Sequence, residues 1–398
     1  MAGASLTSAG LARLDEVMTR HVETGAVPGL VWLVAQGRTV HAGAAGTLDV
    51  ASGAPAGRDA IFRISSMSKP VTAVAALVLV EECRLRLDDP VDDLLPELAD
   101  RRVLARPDRP LDDTVPAARP ITLRDLLTFR LGLGADFTAP HPQPSMTRAA
   151  ELGLGVGPPA PAVPPEPDEF MRRLGSLPLE HQPGERWLYH TGADVLGVLI
   201  ARAAGQPFPE FLAERVCEPL GMVDTGFWVP PADLDRFGPC YSTDPVTGER
   251  AVYDPTDGQW SAPPAFPGGG AGLVSTADDM AAFGEMLRSG GVREGTRVLS
   301  RAAVAAMTRN HLTRAQLAAG PDPSGAVGWG FGVGVQVRAT GLDRSVGGYG
   351  WDGGMGTRWS NDPAEDLTAV LMTNQMWTSP APPAVARDFL TCAYTALA

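Results

Sequence analysis

The chain has 398 residues, 44% apolar and 20% charged, a balance that suits a globular protein with a large core and one to three domains. Its formal charge of −13 argues against nucleic acid or an anionic membrane as partner. No apolar run reaches the about 18 residues of a membrane span; the best, VTAVAALVLV, stops at Glu81 and Glu82.

The N-terminal MAGASLTSAG has no basic segment followed by an apolar one, so no signal peptide is expected and a cytoplasmic location fits best. LARLDEVMTRHVETG carries Leu11, Leu14, Val17, Met18 and Val22 at helical spacing. GLVWLVAQGRTVHAGAAG reads as two strands around a Gly37-Arg38 turn. A helix is expected from near Ser66 through VTAVAALVLVEEC, with Pro70 in its first turn, where a missing N–H costs nothing.

LRLDDPVDDLLPEL is a solvated acidic face rather than a metal site. Thr122 and Asp125 in ITLRDLLTF, and Ser275 and Asp278 in STADDMAAF, have the spacing of helix caps. Residues 139–167 are rich in Pro and Gly and read as a long irregular lid or wall. GWGFGVGVQVRA, DLTAVLMTNQ and AVARDFLTCAYTAL read as strand, strand and helix. Cys83, Cys217, Cys240 and Cys392 form no C-x-x-C pair and are expected as reduced, mostly buried thiols. Strands at both ends of the chain enclose a helical, Pro-rich middle, which suggests a mixed α/β body with a helical insertion.

Among 33 basic residues, Lys69 is the only lysine. Arginine stays protonated at any working pH, whereas a desolvated lysine can lose its proton and act as a base. Ser66 stands at i−3, on the same helix face, where a base can activate its hydroxyl as a nucleophile. Ser65, at i−4, competes for that role.

Other sites are disfavoured. Ser68 occupies the position that Gly must hold before the lysine of a Walker A loop, and no serine lies in G-x-S-x-G. There is no H-E-x-x-H, and the six His form no ligand cluster, so neither metal nor cofactor is expected. The S-x-S-K string is also similar to the Schiff-base segment of pyridoxal-phosphate aminotransferases, but Lys69 comes too early to follow a cofactor-binding half. His190 and Asp194, at i and i+4, read as a helix-surface pair.

With Ser66-Met67-Ser68-Lys69 in place, the chain resembles the serine β-lactamase and penicillin-binding-protein superfamily, and more closely its class C branch and the family VIII carboxylesterases. Pro183-Gly184 followed by Tyr189 resembles that family's Tyr-x-Asn motif. The resemblance implies that Tyr189 shares proton transfer with Lys69. Trp351-Asp352-Gly353, with Gly354 next, resembles the third motif, and by analogy the amides of Ser66 and Gly354 would form the oxyanion hole.

The resemblance spans roughly residues 10–395 and implies a β-lactamase/D,D-peptidase-like α/β (α+β) fold. That fold has a mainly antiparallel sheet flanked by helices, built from 1–85 and 268–398. A mostly helical domain, 86–267, would carry the lid segment, with the site in the cleft between them.

The departures bear on substrate choice. Thr191 replaces the Asn of Tyr-x-Asn, Trp351 replaces a lysine, and Phe129-Arg130-Leu131-Gly132 replaces His-Thr-Ser-Gly. These changes point away from anionic antibiotics and toward a small-molecule ester or acyl substrate, unless Arg130 or Arg358 faces the cleft and restores a cation. Trp351, Asp352, Gly353, Tyr349 and Thr191 are expected at the substrate, with Trp351 and Tyr349 as an apolar wall. The expected activity is that of a serine carboxylesterase. Acyl transfer, β-lactam or D,D-peptide hydrolysis and non-catalytic acyl binding stand as alternatives, and the oligomeric state is left open.

Overall fold

The computed structural model describes residues 5–107, 109–139, 143–244, 246–322 and 324–398. Among the described residues, eight strands form the largest sheet: β1 (Gly29–Gln36), β2 (Thr39–Asp49), β3 (Ala54–Pro55), β4 (Val327–Trp329), β5 (Gly334–Gln336), β6 (Tyr349–Gly353), β7 (Thr357–Asp362) and β8 (Leu367–Thr373). The helices include α1 (Ser8–Glu23), α2 (Ser68–Glu81), α3 (Thr191–Ala204), α4 (Ala277–Arg288) and α5 (Ala384–Thr395).

The sheet is antiparallel throughout, in the order β4-β5-β6-β7-β8-β1-β2-β3, so the two ends of the chain meet where β1 pairs with β8. The β1–β2 hairpin turns at Gly37-Arg38, as its turn residues predict. Strand β1 reads as an unbroken apolar run because both faces are covered. Leu30, Trp32 and Val34 pack with α1 and α5, around Leu14, Met18 and Phe389. Val31 and Leu33 point the other way, into a core shared with α2 and α4.

Helix α2 is buried from Ser68 to Leu79, all but its last two residues, which is why it lacks an amphipathic stripe. It packs against α3, another mostly apolar helix. Its entry differs from the expectation by two residues. Ser65–Met67 form a 3₁₀ turn, the α-helix begins at Ser68, and Pro70 sits in the first turn. Ser68 closes the junction: its hydroxyl donates to Ser65 O (2.7 Å) and accepts from Leu273 N (3.1 Å).

Other expectations need correction. The cap of α4 is Thr276, whose hydroxyl accepts from Asp279 N, one residue beyond the Ser275/Asp278 pair; Ser275 instead lies buried in a two-residue strand. GWGFGVGVQVRA makes two short strands, β4 and β5, because Gly332 (φ +69°) turns the chain against α2, where a Cβ would lie 2.9 Å from Lys69 O. Strand β7, TRWSND, carries no apolar alternation, yet all six residues are buried. Within 139–167, a helix spans Pro144–Glu151 and a second begins at Pro167; residues 140–142 lie outside the described residues. The capping box at Thr122 and Asp125 forms as read. No helix among the described residues is long and apolar enough to cross a membrane.

Candidate active site

The i, i+3 spacing places Lys69 Nζ 2.9 Å from Ser66 Oγ. Nζ also donates to Gly270 O at 2.7 Å and lies 3.2 Å from His190 Nδ1, with the Tyr189 ring centroid 4.5 Å away. Lys69 is 1% exposed. Burial drives its pKa down to about 7, only partly opposed by the charge of Asp194. The one lysine of the chain therefore occupies a site where an amine can be neutral near neutrality.

Tyr189 is aligned by a short bridge to Ala135, whose N–H and C=O both pair with it (3.0 and 2.8 Å). Its ring packs against Phe129, Trp187, Trp329 and Trp351. Burial raises its pKa to about 12 in spite of hydrogen bonds with Ser66 and Trp351, so it stands beside Ser66 as a phenol.

Strand β6 ends against the turn that holds Ser66. A Cβ on Gly353 would lie 2.2 Å from both Ile64 O and Thr357 Oγ1, so only glycine allows this approach. Gly354 follows, its carbonyl accepting from Trp377 N (2.9 Å); nothing among the described residues accepts its N–H.

A cavity of ≈420 Å³ opens in front of Ser66 and Gly354. Leu133, Phe137, Met146, Leu154, Val156 and Phe170 give it an apolar lining, while Tyr189, His190, Thr191 and Asp194 border it near Ser66. No arginine is among the described residues that line it. Arg130 bonds Thr128 Oγ1, and Arg358 forms a bidentate pair with Asp352 at 2.6 Å, so neither restores a cation.

Of the five expected substrate contacts only Thr191 is in this lining; Gly353, Tyr349, Asp352 and Trp351 are not. Tyr349 is 1% exposed in the core, bonded to Asn361, because its strand position faces α4. Asp352 is held by Arg358. Trp351 sits behind Tyr189 and donates to its hydroxyl.

The larger miss is His190 and Asp194, which are not a surface pair. Asp194 is buried, its Oδ1 accepting from Gly270 N (2.9 Å) and its Oδ2 lying 3.0 Å from His190 Nε2. Burial alone would raise the carboxyl pKa; its hydrogen bonds with His190 and Gly270 N, with Lys69 nearby, outweigh that and hold it below the usual carboxylate range. His190 has φ +80° and ψ −63°, and Thr191 N donates to Tyr189 O across it, which is the strained form of γ-turn. One signal was available in the sequence. Asp194 is the lone charge in GADVLGVLIA, and a carboxylate in a buried helix requires a partner.

Comparison with known proteins agrees with this geometry. A model of the Beta-lactamase family matches residues 14–391. Protein Rv1367c of Mycobacterium tuberculosis is 37% identical over 372 residues, covering 91% of this chain and 88% of its own. Esterase EstB of Burkholderia gladioli is 33% identical over 392 residues, covering 93% and 92%. The solved structure of EstCE1, described as a hydrolase with promiscuous acyltransferase activity, superposes with a TM-score of 0.79 at 28% identity, covering 96% of this chain and 99% of its own. The chain belongs to the Beta-lactamase family and has the β-lactamase/penicillin-binding-protein fold.

Proposed function

We propose that the protein is a serine hydrolase of small-molecule carboxylic esters. The observation that carries this reading is Ser66 Oγ, 2.9 Å from a buried lysine amine, at the edge of an apolar cavity with no arginine in its described lining. Ser66 attacks the acyl carbonyl as its proton passes to Lys69. The amides of Ser66 and Gly354 hold the developing oxyanion. The alkoxide leaves with a proton drawn from Lys69 or the Tyr189 phenol, and water releases the acyl group by the reverse path. Esterase EstB supports the reaction class. The missing cation disfavours a β-lactam, whose carboxylate would need one.

Transfer of the acyl group to an alcohol is the second reading. It is supported by the apolar lining, which limits water at the acyl-enzyme, and by the activity described for EstCE1. The test is p-nitrophenol release from short-chain p-nitrophenyl esters by the wild type and Ser66→Ala, with intact mass recorded. Turnover that dies with Ser66 supports hydrolysis. A Ser66-dependent adduct without turnover moves the reading to transfer, and neither result discards both.

A further inference from the structure

Four groups close a hydrogen-bond circuit around the lysine. Lys69 Nζ donates to Gly270 O, Gly270 N donates to Asp194 Oδ1, Asp194 Oδ2 meets His190 Nε2, and His190 Nδ1 faces Lys69 Nζ again. A carboxylate only accepts, so His190 Nε2 carries the ring proton and Nδ1 presents its lone pair to the amine. Gly270 is sterically required, because a Cβ there would lie 2.8 Å from Asp194 Oδ1 and 3.0 Å from the His190 ring.

The proton count then fixes the amine's orientation. A neutral amine has two N–H bonds and one lone pair. Its partners are two acceptors, Gly270 O and His190 Nδ1, and the Ser66 hydroxyl. The acceptors take both N–H bonds, and the lone pair is left facing Ser66 Oγ.

We infer that His190, oriented by Asp194 and by the γ-turn at its own backbone, is a positioning residue that aims the Lys69 lone pair at Ser66 and makes Lys69, not Tyr189, the working base. On attack the Ser66 proton moves to that lone pair while Oγ bonds the acyl carbon. The resulting ammonium keeps both acceptors and gains the Asp194 charge through the imidazole. The backbone strain at His190 has a use here, since an ordinary turn would point the ring elsewhere. The charged and titratable groups facing Lys69 are Ser66, Tyr189, His190 and Asp194.

This inference rests on the hydrolase reading for its kinetic test but has a second readout that does not. With one lysine in the chain, ¹³Cε-lysine labelling yields a single NMR resonance whose titration reports Lys69 directly. His190→Ala is expected to lower kcat on p-nitrophenyl butyrate by about 30-fold or more with KM within about twofold. His190→Asn tolerates the positive φ and places Oδ1 where Nδ1 was, so it keeps kcat within about fivefold. Asp194→Asn removes a charge that favours the ammonium, so the Lys69 midpoint falls by about half a pH unit or more, and the acid limb of kcat/KM falls with it.

His190→Ala within threefold of wild type overturns the inference, as do His190→Ala and His190→Asn equally impaired with unmoved pH profiles. If the wild type is inert toward the ester, the hydrolase reading is what fails. The lysine titration then decides alone, and an unmoved midpoint in both Asp194→Asn and His190→Ala overturns the circuit.

Discussion

Trp351 donates its indole N–H to the Tyr189 hydroxyl oxygen at 2.8 Å. That bond and the hydrogen bond with Ser66 both engage the phenol oxygen, so a residue expected to line the substrate acts one layer back. Trp351→Phe keeps the aromatic packing against Tyr189 and Trp329 and loses only the donor. We expect kcat/KM to fall by about tenfold with no change in acyl chain-length preference across p-nitrophenyl acetate to octanoate. A changed preference would put the indole in the acyl pocket instead.

Lys69→Arg should reduce turnover by at least about a hundredfold, because a guanidinium does not give up its proton. Circular dichroism should show the fold retained. A variant with more than about a tenth of wild-type rate would remove Lys69 as the base.

The same group sets the pH dependence. With Lys69 at about 7, kcat/KM should rise through an acid limb near that value, and about a tenth of the maximum should remain one unit lower. Stability follows the opposite-sign case to a salt-bridged lysine. The folded pKa lies below the ordinary lysine value of 10.5, so the unfolded chain binds the extra proton between about 7 and 10.5. This group's contribution is therefore fully present above that window and lost as pH falls through it. Urea denaturation at several pH values, compared between wild type and Lys69→Met, should show that slope only in the wild type.

Met146, on the helix Pro144–Glu151, faces the cavity. Met146→Trp shortens the apolar space, so the octanoate-to-acetate rate ratio should fall by about tenfold, with acetate turnover little changed. An unchanged ratio means that the acyl chain lies elsewhere.

Three residues before Ser66, Arg63 is buried and donates two hydrogen bonds, at 2.8 and 2.6 Å, to Asp254, with further bonds to Gly238 O and Pro255 O. Asp254→Ala strands a buried guanidinium and should cost about 3–5 kcal/mol in urea unfolding, since neither water nor another carboxylate replaces the partner. A loss under about 1 kcal/mol would mean that solvent reaches the site.

The parts of this protein that local periodicity controls are legible in the sequence. The β1–β2 hairpin follows from an apolar run with a Gly37-Arg38 turn, and the Thr122–Asp125 capping box from its spacing. Strand β7 was not legible, because TRWSND buries polar side chains whose partners come from elsewhere, such as Gly284 O for Asn361 and Asp352 for Arg358. The cap of α4 falls one residue later for a related reason: of two adjacent hydroxyls, Ser275 is taken by a strand paired with Phe62, which leaves Thr276 to cap the helix.

By itself, the sequence determined that Ser66 and Lys69 would touch, because one helical turn brings i and i+3 together whatever surrounds them, and that Lys69 was chosen for something arginine cannot do. Tertiary structure alone decided the rest of the site. His190 and Asp194 have the same i, i+4 spacing whether exposed or buried, and only the packing of α3 beneath Gly270 turns the pair inward onto the lysine. Tyr349 and Trp351 share one strand face, yet one fills the core and the other backs Tyr189, because different elements cover the two positions. Spacing sets which side chains share a surface, and what lies against that surface sets their chemistry.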